Sequence, residues 1–329
     1  MNIPAKMRAL QQTSFAGPRH MQLITDAPVP SPGNGQLLIR VAAAGVNFAD
    51  ISRSYGTFRN GPQPPYLAGF EAAGEIVALG DGVAATLGNH VVGVGYGAFA
   101  EYALVYANAA MPVPPNWRAE QALGLVVNLP TALAALKPLG RIKRGETVLI
   151  HAAAGATGQA AVKLAKHYGA IVIAAASANK RETVRALGAD HVLDSRSEAL
   201  AAQVRELTRG IGADLVLECA GGTTFTESMS AARRVTGRVV VYGLAAGEAS
   251  VSNWQLVYEQ QVQVIGLNIG VLSQAEPQLF AELMGELSAL IAARVVTPAH
   301  PTTYELAQGA TALSDLESRA TIGKLAILP

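Results

Sequence analysis

Between residues 147 and 267, short apolar runs alternate with helix-like segments, and this rhythm constrains the architecture more than any other feature. The runs are Thr147 to Ile150, Ile171 to Ala174, His191 to Leu193, Leu215 to Glu218, Val239 to Tyr242 and Val262 to Leu267. Amphipathic segments such as Thr183 to Leu187, Ala199 to Leu207 and Phe225 to Ala232 lie between them. A strand covered on both faces reads as an unbroken apolar run, and parallel neighbours need a crossover between them. The pattern therefore predicts an α/β fold with a doubly wound parallel six-stranded sheet.

The first 120 or so residues have a different texture. They are rich in Gly and Pro, carry strand-like runs at Leu37 to Val41, Glu75 to Leu79 and Val91 to Val94, and show few helical patterns. That predicts an irregular, mostly antiparallel β domain. A helical stretch over Glu120 to Leu139 leads into the sheet. After residue 270 come helical segments at Glu276 to Ala293 and Glu305 to Leu313, then a last strand, "GKLAIL". This tail is too short to be a domain and is expected to complete the first one. The predicted domains are 1–120 with 271–329, and 121–270.

With 329 residues and 50% hydrophobic content, the chain can bury the cores of two such domains. Its 25 basic and 24 acidic residues give a net charge of +1, so there is no footprint for a nucleic-acid partner. The opening "MNIPAKMRALQQTSF" lacks the apolar core of a signal peptide, and no stretch has the roughly 18 apolar residues of a membrane span. A cytoplasmic protein with no membrane partner is expected. The single cysteine, Cys219, excludes an intrachain disulfide and a Cys-rich zinc knuckle. Its setting, "DLVLECAGG", reads as that of a core thiol rather than a nucleophile.

The stretch "HAAAGATGQAAVKLAK", 151 to 166, opens the predicted sheet. In a Rossmann unit the turn after the first strand holds a pyrophosphate with its backbone N–H groups and the following helix N-terminus. Gly155, Ala156, Thr157 and Gly158 fit the last two glycines of G-x-G-x-x-G, while Ala153 replaces the first. Taken alone, such a turn is weak evidence and could also be a packing device. A second signal stands at the end of the second strand, where an NAD-selecting domain places Asp or Glu. Here the sequence reads "IVIAAASANKRE", with Ser177, Lys180 and Arg181 in reach of a 2′-phosphate. A hydroxyl and cations bind a phosphate that a carboxylate would repel. NADPH is favoured over NADH, although Lys180 and Arg181 also read as a solvated first helical turn.

Several ordered motifs now carry a resemblance that covers almost the whole chain. "GVNFAD" (45 to 50), "GFEAAGEI" (69 to 76), "GAFAEYALV" (97 to 105), "NLPTALAAL" (128 to 136), "GLAAG" (243 to 247) and "ESRATIGKLAILP" (317 to 329) join the Gly-rich stretch. The chain resembles the medium-chain dehydrogenase/reductases, specifically the zinc-independent quinone oxidoreductases that include ζ-crystallin-like proteins. The resemblance implies a GroES-like first domain and a homodimer formed through edge strands of the nucleotide domain. Where zinc-dependent relatives carry metal ligands, this sequence has Asn47, Phe70 and Val127, which cannot supply the thiolate and imidazole that zinc prefers. The four-Cys structural lobe is also missing, and no metal is expected.

The resemblance also implies residue roles. Asn47 and Thr131 would lie near the nicotinamide ring and ribose, and Asn47 would bond the cofactor or the substrate oxygen. Asp50 would fix the loop or a water; the Asn47–Asp50 pair also reads as a turn held by its own side chains. Gly155 to Gly158 would hold the pyrophosphate, and Ser177 and Lys180 the 2′-phosphate. Gly243, Leu244, Ala245 and Ala246, with Leu267, Asn268, Ile269 and Gly270, would line the nicotinamide side of a cleft between the domains. Arg319 resembles a cofactor-proximal arginine of the family, or stands in a surface salt bridge.

Two features depart from the family. Ser52 and Phe58, with Tyr55 nearby, stand where tyrosines often occur, and Ser195, helped by Arg196, replaces a tyrosine that contacts the 2′-phosphate. Asp194 beside Ser195 weighs against NADPH. Without zinc the acceptor must be intrinsically electrophilic. The expected activity is zinc-free hydride transfer from NADPH to a quinone or conjugated carbonyl, with the proton coming from water. Its alternatives are an enone or 2-alkenal double-bond reductase and an NADPH-binding sensor or structural protein with little turnover.

Overall fold

The computed structural model describes residues 3–329 and divides the chain into two compact units, residues up to 127 with 298–329, and residues 128–297. In chain order the first unit contains β1 (Lys6–Gln12), β2 (Met21–Pro28), β3 (Gln36–Val46), α1 (Phe48–Ser54), β4 (Tyr66–Leu67), β5 (Glu71–Leu79), β6 (His90–Tyr96), β7 (Tyr102–Pro112) and α2 (Ala119–Ala122). The second runs through α3 (Asn128–Leu136), β8 (Thr147–Ile150), α4 (Ala156–His167), β9 (Ile171–Ala176), α5 (Arg181–Ala186), β10 (His191–Asp194), α6 (Leu200–Leu207), β11 (Leu215–Glu218), α7 (Gly222–Ala231), β12 (Arg238–Val241), β13 (Gln263–Gly266), α8 (Ile269–Ala275) and α9 (Pro277–Ala292). The chain then returns to the first unit as β14 (Thr302–Glu305), α10 (Gly309–Glu317) and β15 (Leu325–Leu328).

The second unit is the expected doubly wound sheet. Its strand order, β10-β9-β8-β11-β12-β13, has every neighbouring pair parallel. Counted from the first strand this is 3-2-1-4-5-6, so the order reverses between β8 and β11, where such sheets bind a dinucleotide outside their carboxyl ends. The strands are apolar because both faces are covered. Leu149, Ile173, Val216 and Val239 pack with Phe225 and Met229 of α7 in one core.

The first unit is mostly antiparallel. One sheet runs β14-β15-β3-β5-β6-β7, with β3 also pairing β7, and a smaller sheet runs β2-β1-β4. Its core includes Leu10, Ile39, Ile76, Phe99, Val105 and Ile327. Gly45 of β3 pairs with Glu71 of β5 on one side and Ala326 of β15 on the other. That register brings the far end of the chain beside the start of α1.

Two expectations are revised. The helix foreseen over Glu120 to Leu139 is broken into α2 and α3, with Gly124 between them at φ +94°, outside helical space. The domain limits fall at 127/128 and 297/298 instead of 120/121 and 270/271. The reason lies in α9, which buries Leu283, Leu287 and Leu290 along one stripe and packs on α3.

Candidate functional site

In the second unit the candidate residues gather at the carboxyl ends of the parallel strands. β8 ends at Ile150, Ala152 takes a left-handed φ of +47°, and α4 begins after Gly155. A Cβ on Gly158 would lie 2.3 Å from Ala152 O and 2.7 Å from Ala153 Cα, so only glycine lets the helix approach the turn this closely. A Cβ on Gly155 would meet only Ala152 O, at 3.3 Å. Gly158 is thus the packing glycine, and the N-terminus of α4 has no side-chain cap at Gly155. Asn128 Nδ2 donates to Thr157 Oγ1 at 3.0 Å and ties the start of α3 to that turn. Thr131 is buried one turn farther along α3.

The ends of β9 and β10 lie side by side, since Ala176 pairs with Asp194 and Ser195 N–H donates to Ala176 O. Ser177 and Ser195 therefore follow adjacent strand ends. Ser177 Oγ donates to Asn179 Oδ1 at 2.9 Å. Arg181 bonds Asp194 at 2.9 Å, which offsets the carboxylate that had weighed against a phosphate here. Lys180, expected to project toward a phosphate, is instead a buried side chain.

The loops after β11 and β12 are joined by Ala245 N–H to Cys219 O and Gly222 N–H to Gly247 O, which brings Gly243 to Ala246 into the same end of the sheet. Asn268 caps α8, its Oδ1 accepting from Gly270 and Val271 N–H, so its side chain is already engaged next to Ile269 and Gly270. The sequence reading missed two buried groups here. Glu218 accepts from Ala220 and Gly221 N–H, and burial pushes its carboxyl up. His151 Nε2 lies 2.9 Å from Ser228 Oγ, and burial lowers its pKa from 6.5 to about 4. Because the Ser228 hydroxyl donates to Thr224 O, the neutral His151 ring must donate from Nε2.

In the first unit Asn47 and Asp50 form the start of α1, with Asp50 Oδ2 accepting from Asn47 N–H at 2.9 Å. Two buried charges join them that the sequence reading left out. Asn47 Nδ2 donates to Glu71 Oε2 at 2.8 Å, and Lys324 Nζ donates to both Asn47 Oδ1 (2.8 Å) and Glu71 Oε2 (2.6 Å). Gly124 N–H donates to the other Glu71 oxygen. Glu71 is 0% and Lys324 5% exposed. A Cβ on Gly45 would stand 2.4 Å from Glu71 Oε2, so the ion pair closes over a glycine. Both charges stood inside quoted motifs, and the available signal was a lysine directly before the apolar run "LAIL". Burial pushes Asp50 from 3.8 up to about 7. Arg319 lies exposed after α10, at φ +58°.

Models of an alcohol dehydrogenase GroES-like domain and of a zinc-binding dehydrogenase match residues 33–115 and 156–286. A probable quinone oxidoreductase of Leishmania amazonensis is 37% identical over 248 residues, 74% of this chain and 72% of that protein. Prostaglandin reductase-3 of Bos taurus is 38% identical over 254 residues, 74% of this chain and 65% of that protein. Among solved structures, a mycobacterial protein complexed with NADPH matches with a TM-score of 0.92 and 33% identity, covering 98% of this chain and 100% of that one.

Zinc does not fit the residues present. Of the three positions that would carry it, Asn47 is already bonded to the Lys324 ammonium. Phe70 presents a phenyl ring stacked with the Arg53 guanidinium, and Val127 offers no donor atom on its side chain.

Proposed function

Because this chain belongs to the zinc-independent, quinone oxidoreductase-like medium-chain dehydrogenase/reductases, we propose that it reduces a quinone or another conjugated carbonyl at the expense of NADPH. It is an NAD(P)H-dependent oxidoreductase. The observation that carries the acceptor reading is the pair of cations, Lys324 on Asn47 and Arg53 on Phe70, at positions that zinc-dependent relatives give to metal ligands. With no Lewis acid to polarise a plain carbonyl, the acceptor must delocalise the incoming charge itself.

Bound NADPH supplies the hydride. The N–H groups of Gly155 to Gly158 hold its pyrophosphate at the start of α4. Ser177 and Ser195, with Arg196 beside them, receive the 2′-phosphate, and the pairing of Asp194 with Arg181 removes the main objection to that anion. The NADPH in the mycobacterial structure supports the same choice. Asn47 orients the reacting groups with its amide fixed by Glu71 and Lys324. A homodimer would use the edge strand β13, beside which Trp254 and Tyr258 stand exposed. No helix among the described residues is long and apolar enough to cross a membrane, and the cytoplasm remains the proposed location.

The likeness to a prostaglandin reductase supports a second reading, reduction of an activated carbon–carbon double bond. Oxidation of NADPH and NADH, followed by absorbance with a simple quinone and a simple enone in the presence of a chelator, separates the two. Chelator-resistant turnover that prefers NADPH and the quinone is expected. Turnover of the enone alone overturns the first reading, and tight NADPH binding without turnover of either leaves only a cofactor-binding protein.

A further inference from the structure

The amino ends of the parallel strands form a second face of the 128–297 unit, opposite the strand ends where the nucleotide candidates gather. Here β9, β8, β11 and β12 stand side by side, about 15 Å from first to last at ~4.8 Å per strand. The segments entering them carry Lys143 and Arg144 before β8, Arg209 before β11, and Arg233 and Arg234 before β12. Arg141 joins the same end, since its Nη2 donates to Gln263 Oε1 at the start of β13. The nearby acids are mostly spent: Asp214 pairs with Arg233, Glu146 with the buried Arg238, and Asp190 with Lys166. Among the described residues, Arg141, Lys143, Arg144, Arg209 and Arg234 have no carboxylate partner. Glu206, near the end of α6, and Glu259, before β13, are the acids left to oppose them. In a chain of net charge +1, the cations are thus concentrated on one face and give it a positive local field.

Branched aliphatic side chains stand exposed beside these cations. Ile171, Ile211 and Val235 are 42%, 53% and 60% exposed. Ile211 follows Arg209 by two residues and Val235 follows Arg234 directly, while the Arg144 side chain lies across Gly169, two residues before Ile171. The loops before β11 and β12 are tied together, because Ala213 N–H donates to Ala231 O and Arg233 N–H to Ala213 O. Val235 also holds φ +72°, a conformation that costs a β-branched residue energy and turns up where a side chain is held for a purpose. We propose that this face is a docking surface for an anionic lipid bilayer, with the arginines and Lys143 on lipid phosphates and Ile171, Ile211 and Val235 entering the headgroup layer. Charge complementarity selects an anionic surface, and each cation close to it adds to the attraction. The aliphatic side chains select a bilayer over a soluble polyanion, which has no apolar layer to receive them. A peripheral contact of this kind needs no spanning helix. It uses no residue of the nucleotide site and holds whichever acceptor the enzyme reduces.

The test is co-sedimentation of the full chain with vesicles of phosphatidylcholine alone and with about one-third phosphatidylglycerol, beside retention on heparin as a soluble polyanion. Two double variants are compared with wild type, Arg209→Gln with Arg234→Gln, and Ile211→Ser with Val235→Asn; all four side chains are exposed, and each variant is checked for an unchanged melting temperature. We expect wild type to bind the mixed vesicles, to ignore pure phosphatidylcholine and to be released by rising salt. The arginine variant should bind the mixed vesicles about twenty-fold more weakly, at roughly fivefold per cation. The aliphatic variant should bind them at least about tenfold more weakly and keep the heparin retention of wild type. No wild-type binding to the mixed vesicles overturns the proposal, as does an arginine variant that binds like wild type. An aliphatic variant that binds vesicles like wild type, with heparin retention lost in the arginine variant, assigns the face to a soluble polyanion and overturns the bilayer.

Discussion

Lys324 Nζ lies 2.8 Å from Asn47 Oδ1, across 277 residues of sequence, and the same ammonium is 2.6 Å from Glu71 Oε2. The amide of Asn47 is thus held at both ends, its oxygen by a cation and its nitrogen by an anion. Turning the amide over would set its NH2 against the Lys324 ammonium and its oxygen against the Glu71 carboxylate.

Removing one partner of that pair should be costly. Lys324→Met is expected to destabilise the protein by about 3–5 kcal/mol, because Glu71 is left as an uncompensated buried carboxylate. Adding Glu71→Gln should recover much of the loss, since no buried charge is left, the glutamine oxygen can accept from Gly124 N–H, and with the ammonium gone a turned Asn47 amide can accept from the glutamine NH2. Urea denaturation of the two variants checks this; a double variant no more stable than Lys324→Met would contradict it.

Asp50 makes stability depend on pH in one direction. Its folded pKa of about 7 exceeds the ordinary 3.8, so the protonated form suits the folded state. Its contribution is full below about pH 4 and is lost as pH rises through 7, by up to roughly 4 kcal/mol. Asp50→Asn keeps an acceptor for Asn47 N–H and is expected to flatten this slope in urea titrations between pH 4 and 8. A slope equal to that of wild type would rule it out.

His151 acts with the opposite sign. Its pKa is lowered from 6.5 to about 4 by burial, so the neutral ring suits the fold. Its contribution is complete above pH 6.5 and disappears as pH falls through 4, by roughly 3 kcal/mol. His151→Gln, which retains a donor for Ser228, should lose less stability than wild type over the same acid range. Thermal melts from pH 7 to 4 measure the difference.

The two glycines of the α4 turn should separate. Gly158→Ala forces a Cβ to within 2.3 Å of Ala152 O and is expected to cost about 1–3 kcal/mol and to weaken NADPH binding more than tenfold. Gly155→Ala meets its nearest atom at 3.3 Å and should be mild in melting temperature. Equal effects from both would show that the close approach at Gly158 is not what matters.

Cofactor choice should turn on the end of β9. Ser177→Asp places a carboxylate beside Ser195 and is expected to cut the kcat/KM preference for NADPH over NADH at least about tenfold, through repulsion of the 2′-phosphate. An unchanged ratio would place the phosphate elsewhere.

What the sequence determined by itself is local or periodic. The apolar runs fixed β8 and β11 to the residue and the parallel sheet as a whole, because a strand covered on both faces has few other readings. The Gly155–Gly158 spacing and the absence of an acid after β9 were equally legible, since backbone approach and charge type are written in single residues. What only the tertiary structure decided depends on register between distant segments. Gly45 is flanked by β5 and β15 at once, and that pairing brings Glu71 and Lys324 onto Asn47. Arg53 became a cation stacked between two rings only when Phe58 and Phe70 closed on it. Asp50 read as a loop anchor until folding removed it from water and raised its proton affinity. Desolvation and long-range pairing are properties of the packed chain, and no short stretch of sequence contains them.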